Sequence, residues 1–184
     1  MEAESRIARD GGPAWRIARL TSADAELYRS LRLHALRLHP AAFTSDFAEE
    51  SQLGADTFAA RMPQPPGVLF GAFVRDGQAA EQLVGGAGLT VQPRAKLRHK
   101  GVLVGVYVEA PHRRGGLARG LVEAVIAQAR LAGLRVLQLR VTVGNAAARQ
   151  LYAELGFQAY GVEPRALCVD GTFHDYELMA LLLD

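Results

Sequence analysis

Arg113, Arg114, Gly115, Gly116, Leu117 and Ala118 gather two glycines, small side chains and positive charge into one short stretch, with Arg119 adding a further cation. Residues 102–108 before it (Val102, Leu103, Val104, Gly105, Val106, Tyr107, Val108) are nearly all apolar, as in a central strand covered on both faces. After it, Leu117, Leu121, Val125 and Ala129 or Ala132 recur on one helical face until Gly133. Such a strand–turn–helix junction aims unpaired backbone N–H groups and the positive end of a helix dipole at one point, and glycine lets an anion approach the backbone closely. A pyrophosphate suits this chemistry, although a tight connection between strand and helix accounts for the glycines as well. Two other phosphate motifs are excluded, since neither G-x-x-x-x-G-K-[ST] nor a G-x-G-x-x-G fingerprint occurs at this junction.

A second segment carries polar groups at helical spacing. Asn145 and Tyr152 are seven residues apart in a helix expected from Asn145 through Leu155, so both point the same way, two turns from each other. Asn145 serves either as the helix N-cap or as a ligand contact. Tyr152 either packs the helix on a sheet or supplies a proton.

The order R-x-x-G-x-A in Arg113–Ala118, placed after Val106-Tyr107-Val108 and before an amphipathic helix, resembles the coenzyme A pyrophosphate loop of the GNAT superfamily of acetyl-CoA-dependent N-acetyltransferases. Residues 144–157, with Asn145, Ala148, Tyr152, Gly156 and Phe157, are similar to that family's N-x-x-A-x-x-x-Y-x-x-x-G-F segment. The resemblance covers roughly residues 68–183. It implies acetyl-CoA as cosubstrate without a metal, and pairing of Val106 and Val108 backbone with the pantetheine arm. It also implies pyrophosphate binding by the amides from Arg113 to Ala118, and an amine that attacks the thioester directly. An N–H near Val108 would polarise the thioester carbonyl. Tyr152 becomes the candidate general acid for the departing thiolate. Many members place a carboxylate in the strand before the loop, and residues 102–108 have none. Glu109, at the strand's end, is then the candidate base, directly or through water, or a solvated terminus; His112 reads as a surface residue.

The remaining chain must position these groups. Residues 15–20 alternate as a strand with one buried face. A helix capped by Thr21 or Ser22 is expected to Leu38, with Leu27, Leu31, Leu36 and Leu38 as its apolar stripe and His39-Pro40 as its stop. Residues 41–54 read as a loop or broken helix, 55–62 as a short helix, and 69–75, 82–91 and 102–109 as three strands. A buried strand is expected at 134–143. After the Asn145 helix, a strand at 157–161 and a hairpin turned at Asp170-Gly171 complete the order. This is a single-domain α/β fold: a mixed, mostly antiparallel central sheet with helices on both faces. The domain is expected over 14–184, after a flexible start at 1–13. The apolar last strand, 178–183, is either central core or a homodimer surface.

Composition narrows the partners. The 184 residues carry a net charge of +2 from 21 basic and 19 acidic residues, without a dense run of one sign, so nucleic-acid binding is not indicated. A single cysteine, Cys168, forms no intrachain disulfide and fits a reducing, cytoplasmic setting. The first 13 residues lack an apolar signal core, and no run is long enough to span a membrane. The acceptor is expected to be the primary amine of a small molecule. A protein or peptide amine is the alternative, and a non-catalytic acyl-CoA-binding module is a third reading. Acceptor walls are expected at 41–54 and 161–167. Phe43, Asp46, Phe47, Glu49 and Glu50 would suit a cationic amine, or simply form a partly helical loop. Tyr160, Glu163 and Arg165 stand opposite, with Arg165 able to bind a carboxylate.

Overall fold

The computed structural model describes residues 5–7, 14–75 and 80–183. The strands are β1 (Ser5–Ile7), β2 (Ala14–Arg19), β3 (Val68–Arg75), β4 (Gln82–Val91), β5 (Lys100–Val108), β6 (Val136–Thr142), β7 (Gln158–Val169) and β8 (Thr172–Leu182). The helices are α1 (Ala25–Leu38), α2 (Phe47–Ser51), α3 (Ala55–Ala60), α4 (Leu117–Leu131) and α5 (Ala146–Glu154). One sheet runs in the order β1-β2-β3-β4-β5-β6-β8-β7. Every neighbouring pair is antiparallel except β5 and β6. The expected mixed sheet is therefore present. Ser5–Ile7 pairs with β2, so part of the expected loose start is strand, and the rest of that start lies outside the described residues.

Two apolar cores sandwich the sheet. On one face Leu121, Val122, Val125 and Ala129 of α4 and Tyr152 of α5 pack on Leu103, Val108, Leu137, Leu139 and Val141. The opposite face carries α1 and α3, through Leu31, Ala35 and Leu36 with Phe43 and Tyr107, and through Phe58 and Met62 with Leu69 and Phe73. Adjacent glycines mark the divide: a Cβ on Gly85 would meet Leu121 of α4, whereas one on Gly86 would face Leu31 and Tyr28 of α1.

The stripe expected for α1 is half right. Leu31 and Leu36 are buried, but Leu27 and Leu38 are half exposed. At 3.6 residues per turn they lie roughly a quarter turn from the face centred on Tyr28, Leu31, Arg32 and Ala35. The last strand is interior to the sheet: β8 runs between β6 and β7, with Met179 buried and Leu182 exposed.

Candidate active site

The site begins where β5 and β6 part. Their parallel pairing covers only Lys100–Val102 against Val136–Gln138, after which β5 has no strand on that side. The Glu109 N–H donates to the Val84 carbonyl at 2.9 Å, and Gly86 lies opposite Tyr107. Antiparallel alternation therefore directs the backbone of Tyr107 and Glu109 at β4, and turns that of Val106 and Val108 to the gap. Gly105, at φ +65°, sits where the β4–β5 register shifts. The shift changes which residues face β6: Gly101 and Leu103 before it, Val106 and Val108 after it.

Beyond β5 the chain makes a 3-10 turn at Ala110–His112 and enters α4 through two left-handed residues, Arg114 (φ +66°) and Gly116 (φ +87°). Gly116 is the N-cap and offers no side-chain acceptor. The first helical amide bonded to the N-cap is Gly120, donating to the Gly116 carbonyl at 2.9 Å. The amides of Leu117, Ala118 and Arg119 thus begin the helix without intrahelical partners. They open onto a cavity of about 320 Å³ walled by this turn and by Ala147, Gln150, Leu151 and Glu154 of α5. The expected turn is consequently a cradle of backbone donors suited to a pyrophosphate.

The side chains of the turn divide sharply. The Arg113 guanidinium points back into the protein: its Nε donates to the Val108 carbonyl at 2.8 Å, and its Nη2 lies 3.0 Å from His39 Nε2. An arginine can only donate, so His39 accepts through Nε2 and is neutral there. Burial, then the Arg113 charge and His34, hold its pKa below the usual histidine value. Arg119 pairs with Glu154 across the cavity mouth and, at 3.9 Å, with Glu123. Arg114 is exposed, lines the cavity and has no carboxylate partner among the described residues. Of the three arginines expected to attract phosphate, Arg114 alone is unengaged. Leu117 contributes backbone only, because its side chain is in the core. His112, read as a surface residue, lines the cavity.

Tyr107 departs from the expected set. Its ring packs on the α1 side against Phe43 and His39, with ring centroids 6.5 and 5.9 Å away. It therefore faces away from the α4 cavity. Its hydroxyl is buried without a hydrogen-bond partner among the described residues. Glu109 starts the 3-10 turn and lines neither this cavity nor the next.

A second cavity, of about 430 Å³, lies on the α1 side of the parted strands. Val106, Ala148 and Tyr152 line it, while Val108, Ala147 and Leu151 line the first. The two cavities thus lie on either side of the gap between β5 and α5. Asn145 accepts from the Ala148 N–H at 3.3 Å and also lines this cavity, so it is cap and wall together. Tyr152 is buried, edge-on to Phe157, and burial pushes its hydroxyl up to about 12. Its phenol is protonated at neutral pH.

The acceptor walls differ from expectation. Residues 41–54 are partly helical, as the plainer reading had it: Asp46 caps α2, and Glu50 pairs with Arg32 at 3.3 Å. Phe43 and Thr44 line the cavity, whereas Asp46, Glu49 and Glu50 do not. Tyr160 lines it opposite; Arg165 instead lies over Phe173, and Glu163 pairs with Arg140. Sequence reasoning missed Arg32, Gln138, Arg140, Thr142 and Tyr176. The alternation of buried Leu137, Leu139 and Val141 with the residues between them was the available signal for the three on β6. Among the described residues no group of three or more His, Cys, Asp or Glu is placed to hold a metal ion.

Residues 31–157 match the family model described as "Acetyltransferase (GNAT) family". The chain belongs to that family. Solved structures agree: the acetyltransferase of GNAT family from Streptococcus pneumoniae superposes with a TM-score of 0.78 at 25% identity, over 92% of this chain and 99% of that one. The structure of yncA from Salmonella typhimurium, which holds its cofactor acetyl-CoA, has a TM-score of 0.73 at 26% identity, over 92% and 94%. An L-methionine sulfoximine/L-methionine sulfone acetyltransferase of Pseudomonas aeruginosa is 38% identical over 79 residues, 43% of this chain. That match spans 46% of the relative's length, so the chain covers less than half of the curated relative it matches.

Proposed function

We propose that this protein transfers the acetyl group of acetyl-CoA directly to the primary amine of a small molecule. The gap between the parted strands is the observation that carries the reading: an anion cradle and a separate cavity flank it across unpaired β5 backbone, and in this reading it is the passage between them. The donor enters at the α4 turn, where the amides of Leu117, Ala118 and Arg119 meet its pyrophosphate and Arg114 adds charge. Gly115 and the αL Gly116 keep the backbone open to it. Val106 and Val108 offer backbone groups to the pantetheine arm. The Arg113 guanidinium already occupies the Val108 carbonyl, so Val108 serves through its N–H, the group aimed to stabilise oxyanion charge.

The amine nitrogen attacks the thioester carbon, and the C–S bond then breaks. Tyr152 is placed to donate to the departing sulfur. Burial keeps its phenol protonated, so it has a proton to offer there. It donates to the departing sulfur, which leaves as the thiol with its proton ultimately from solvent, while the nitrogen of the intermediate gives up its second proton to water. Among the described residues no carboxylate or imidazole lines the acceptor cavity, and in this reading the ammonium loses its proton to water before attack. The methionine sulfoximine relative supports a small-molecule acceptor over a protein amine.

Thiol release from acetyl-CoA, followed across small amines, N-terminal peptides and pH, tests this. The account predicts turnover on small amines with kcat/KM rising with pH toward each acceptor's own pKa. A fixed protein pKa for every acceptor would contradict the solvent route. Binding of acetyl-CoA without turnover on any amine would favour a non-catalytic module.

A further inference from the structure

The charges that face the acceptor cavity are all positive. Arg32 enters from α1 and Arg140 from β6, while Asp and Glu are absent from the lining among the described residues. Between them stand neutral donors and acceptors, among them Thr142, Gln138 and Tyr160, with Gln138 donating to the Tyr160 hydroxyl at 3.0 Å. Both arginines are oriented from behind. Arg32 has its guanidinium stacked 4.7 Å over Phe43, with Nε 3.3 Å from Glu50 and Nη2 3.1 Å from the Ser45 hydroxyl. Arg140 is held loosely, its Nε 3.8 Å from Glu163, and its side chain is 58% exposed. Arg32 and Arg140 line the cavity, whereas their carboxylate partners Glu50 and Glu163 do not. A cationic acceptor finds no counter-charge there, whereas planar guanidinium groups match a carboxylate in both charge and shape.

Resting on the acetyl-transfer reading above, we infer that the acceptor is an amino acid whose free carboxylate is held by Arg140 together with Arg32, leaving its amine directed at the passage beside Tyr152. Arg140 supplies the adaptable contact and Arg32 the pre-oriented one. Both are specificity determinants and neither touches the reacting atoms.

The test compares the standard L-α-amino acids and L-methionine sulfone, each against its carboxamide, by thiol release with wild-type protein and with Arg140→Gln and Arg32→Gln. Arg140 is exposed, so its replacement leaves the fold intact even if loss of Arg32 loosens α2. A charge-assisted hydrogen bond lost with the carboxylate predicts a wild-type preference for the acid of about 10- to 10²-fold in kcat/KM. The preference should fall to within about 3-fold in Arg140→Gln, through KM, with acetyl-CoA binding by calorimetry unchanged. Equal use of acid and carboxamide by wild-type protein would overturn the carboxylate assignment while leaving acetyl transfer standing. An undiminished preference in both variants would overturn the assignment to these arginines. Thiol release with no acceptor of any kind would remove the transfer reading, and this inference with it.

Discussion

Tyr152 shows how one side chain serves packing and chemistry together. The packing reading that the sequence offered holds, since the ring is buried against Phe157 in the α4-side core, and the same side chain also lines the acceptor cavity. The same burial that makes it core keeps the phenol protonated. Replacing Tyr152 by Phe keeps the ring and removes the donor. Turnover is expected to fall about 10²-fold with acetyl-CoA affinity unchanged, as steady-state kinetics and calorimetry would show. An unchanged kcat would take Tyr152 out of the mechanism. Arg113 teaches the complementary lesson. A motif arginine beside a phosphate cradle reads as a phosphate ligand, but side-chain direction is set by neighbours distant in sequence. His39 and the Val108 carbonyl claim this one.

At the scale of elements, the contact of Arg113 with His39 joins the end of α1 to the turn before α4. Because folding disfavours the charged form of His39, the unfolded chain takes up its proton first as pH falls through about 6.5. The contribution of this joint is therefore present above that pH and is lost as pH falls through the lower folded value. Melting temperature should drop between about pH 7 and pH 5 by more in wild-type protein than in His39→Gln, whose amide oxygen still accepts from Arg113 but does not titrate. Parallel pH profiles for the two would contradict it. Most elements were legible in the sequence because each carries its own period and punctuation. Gly133 ends α4's run, Asp170-Gly171 turns the β7–β8 hairpin, and 82–91 is the strand its residues suggest. What stayed hidden depends on pairing between distant segments. The early end of β5–β6 pairing, the register shift opposite Gly105, and the entry of Arg32 and Arg140 into one cavity follow from how strands meet, which local periodicity does not encode. The acids at 46–50 read in sequence as partners for a cationic amine or as part of a helical loop; α2 capping explains Asp46 and the Arg32 pair explains Glu50.

Across the whole molecule, an eight-stranded sheet with a core on each face sets two cavities beside the gap where β5 and β6 diverge. Rigid packing on both sides gives the passage its shape: Leu121 and Leu137 are fully buried on the α4 side, as Leu36 is on the α1 side. In the proposed reading the donor side is built from backbone and the acceptor side from side chains, which is why the family could be read from the Arg113–Ala118 turn together with residues 144–157 while the acceptor could not. The central claim is that the uncapped start of α4 binds acetyl-CoA through its backbone. Calorimetric titration of acetyl-CoA into wild-type protein and Gly116→Val tests it most directly, with thermal unfolding confirming that the variant remains folded. Gly116 holds φ +87°, a conformation valine resists, and the new side chain would stand at the mouth of the cradle. The account predicts saturable binding by wild-type protein and its loss, by at least about 10²-fold, in the folded variant. Undiminished binding by a folded Gly116→Val protein would contradict it.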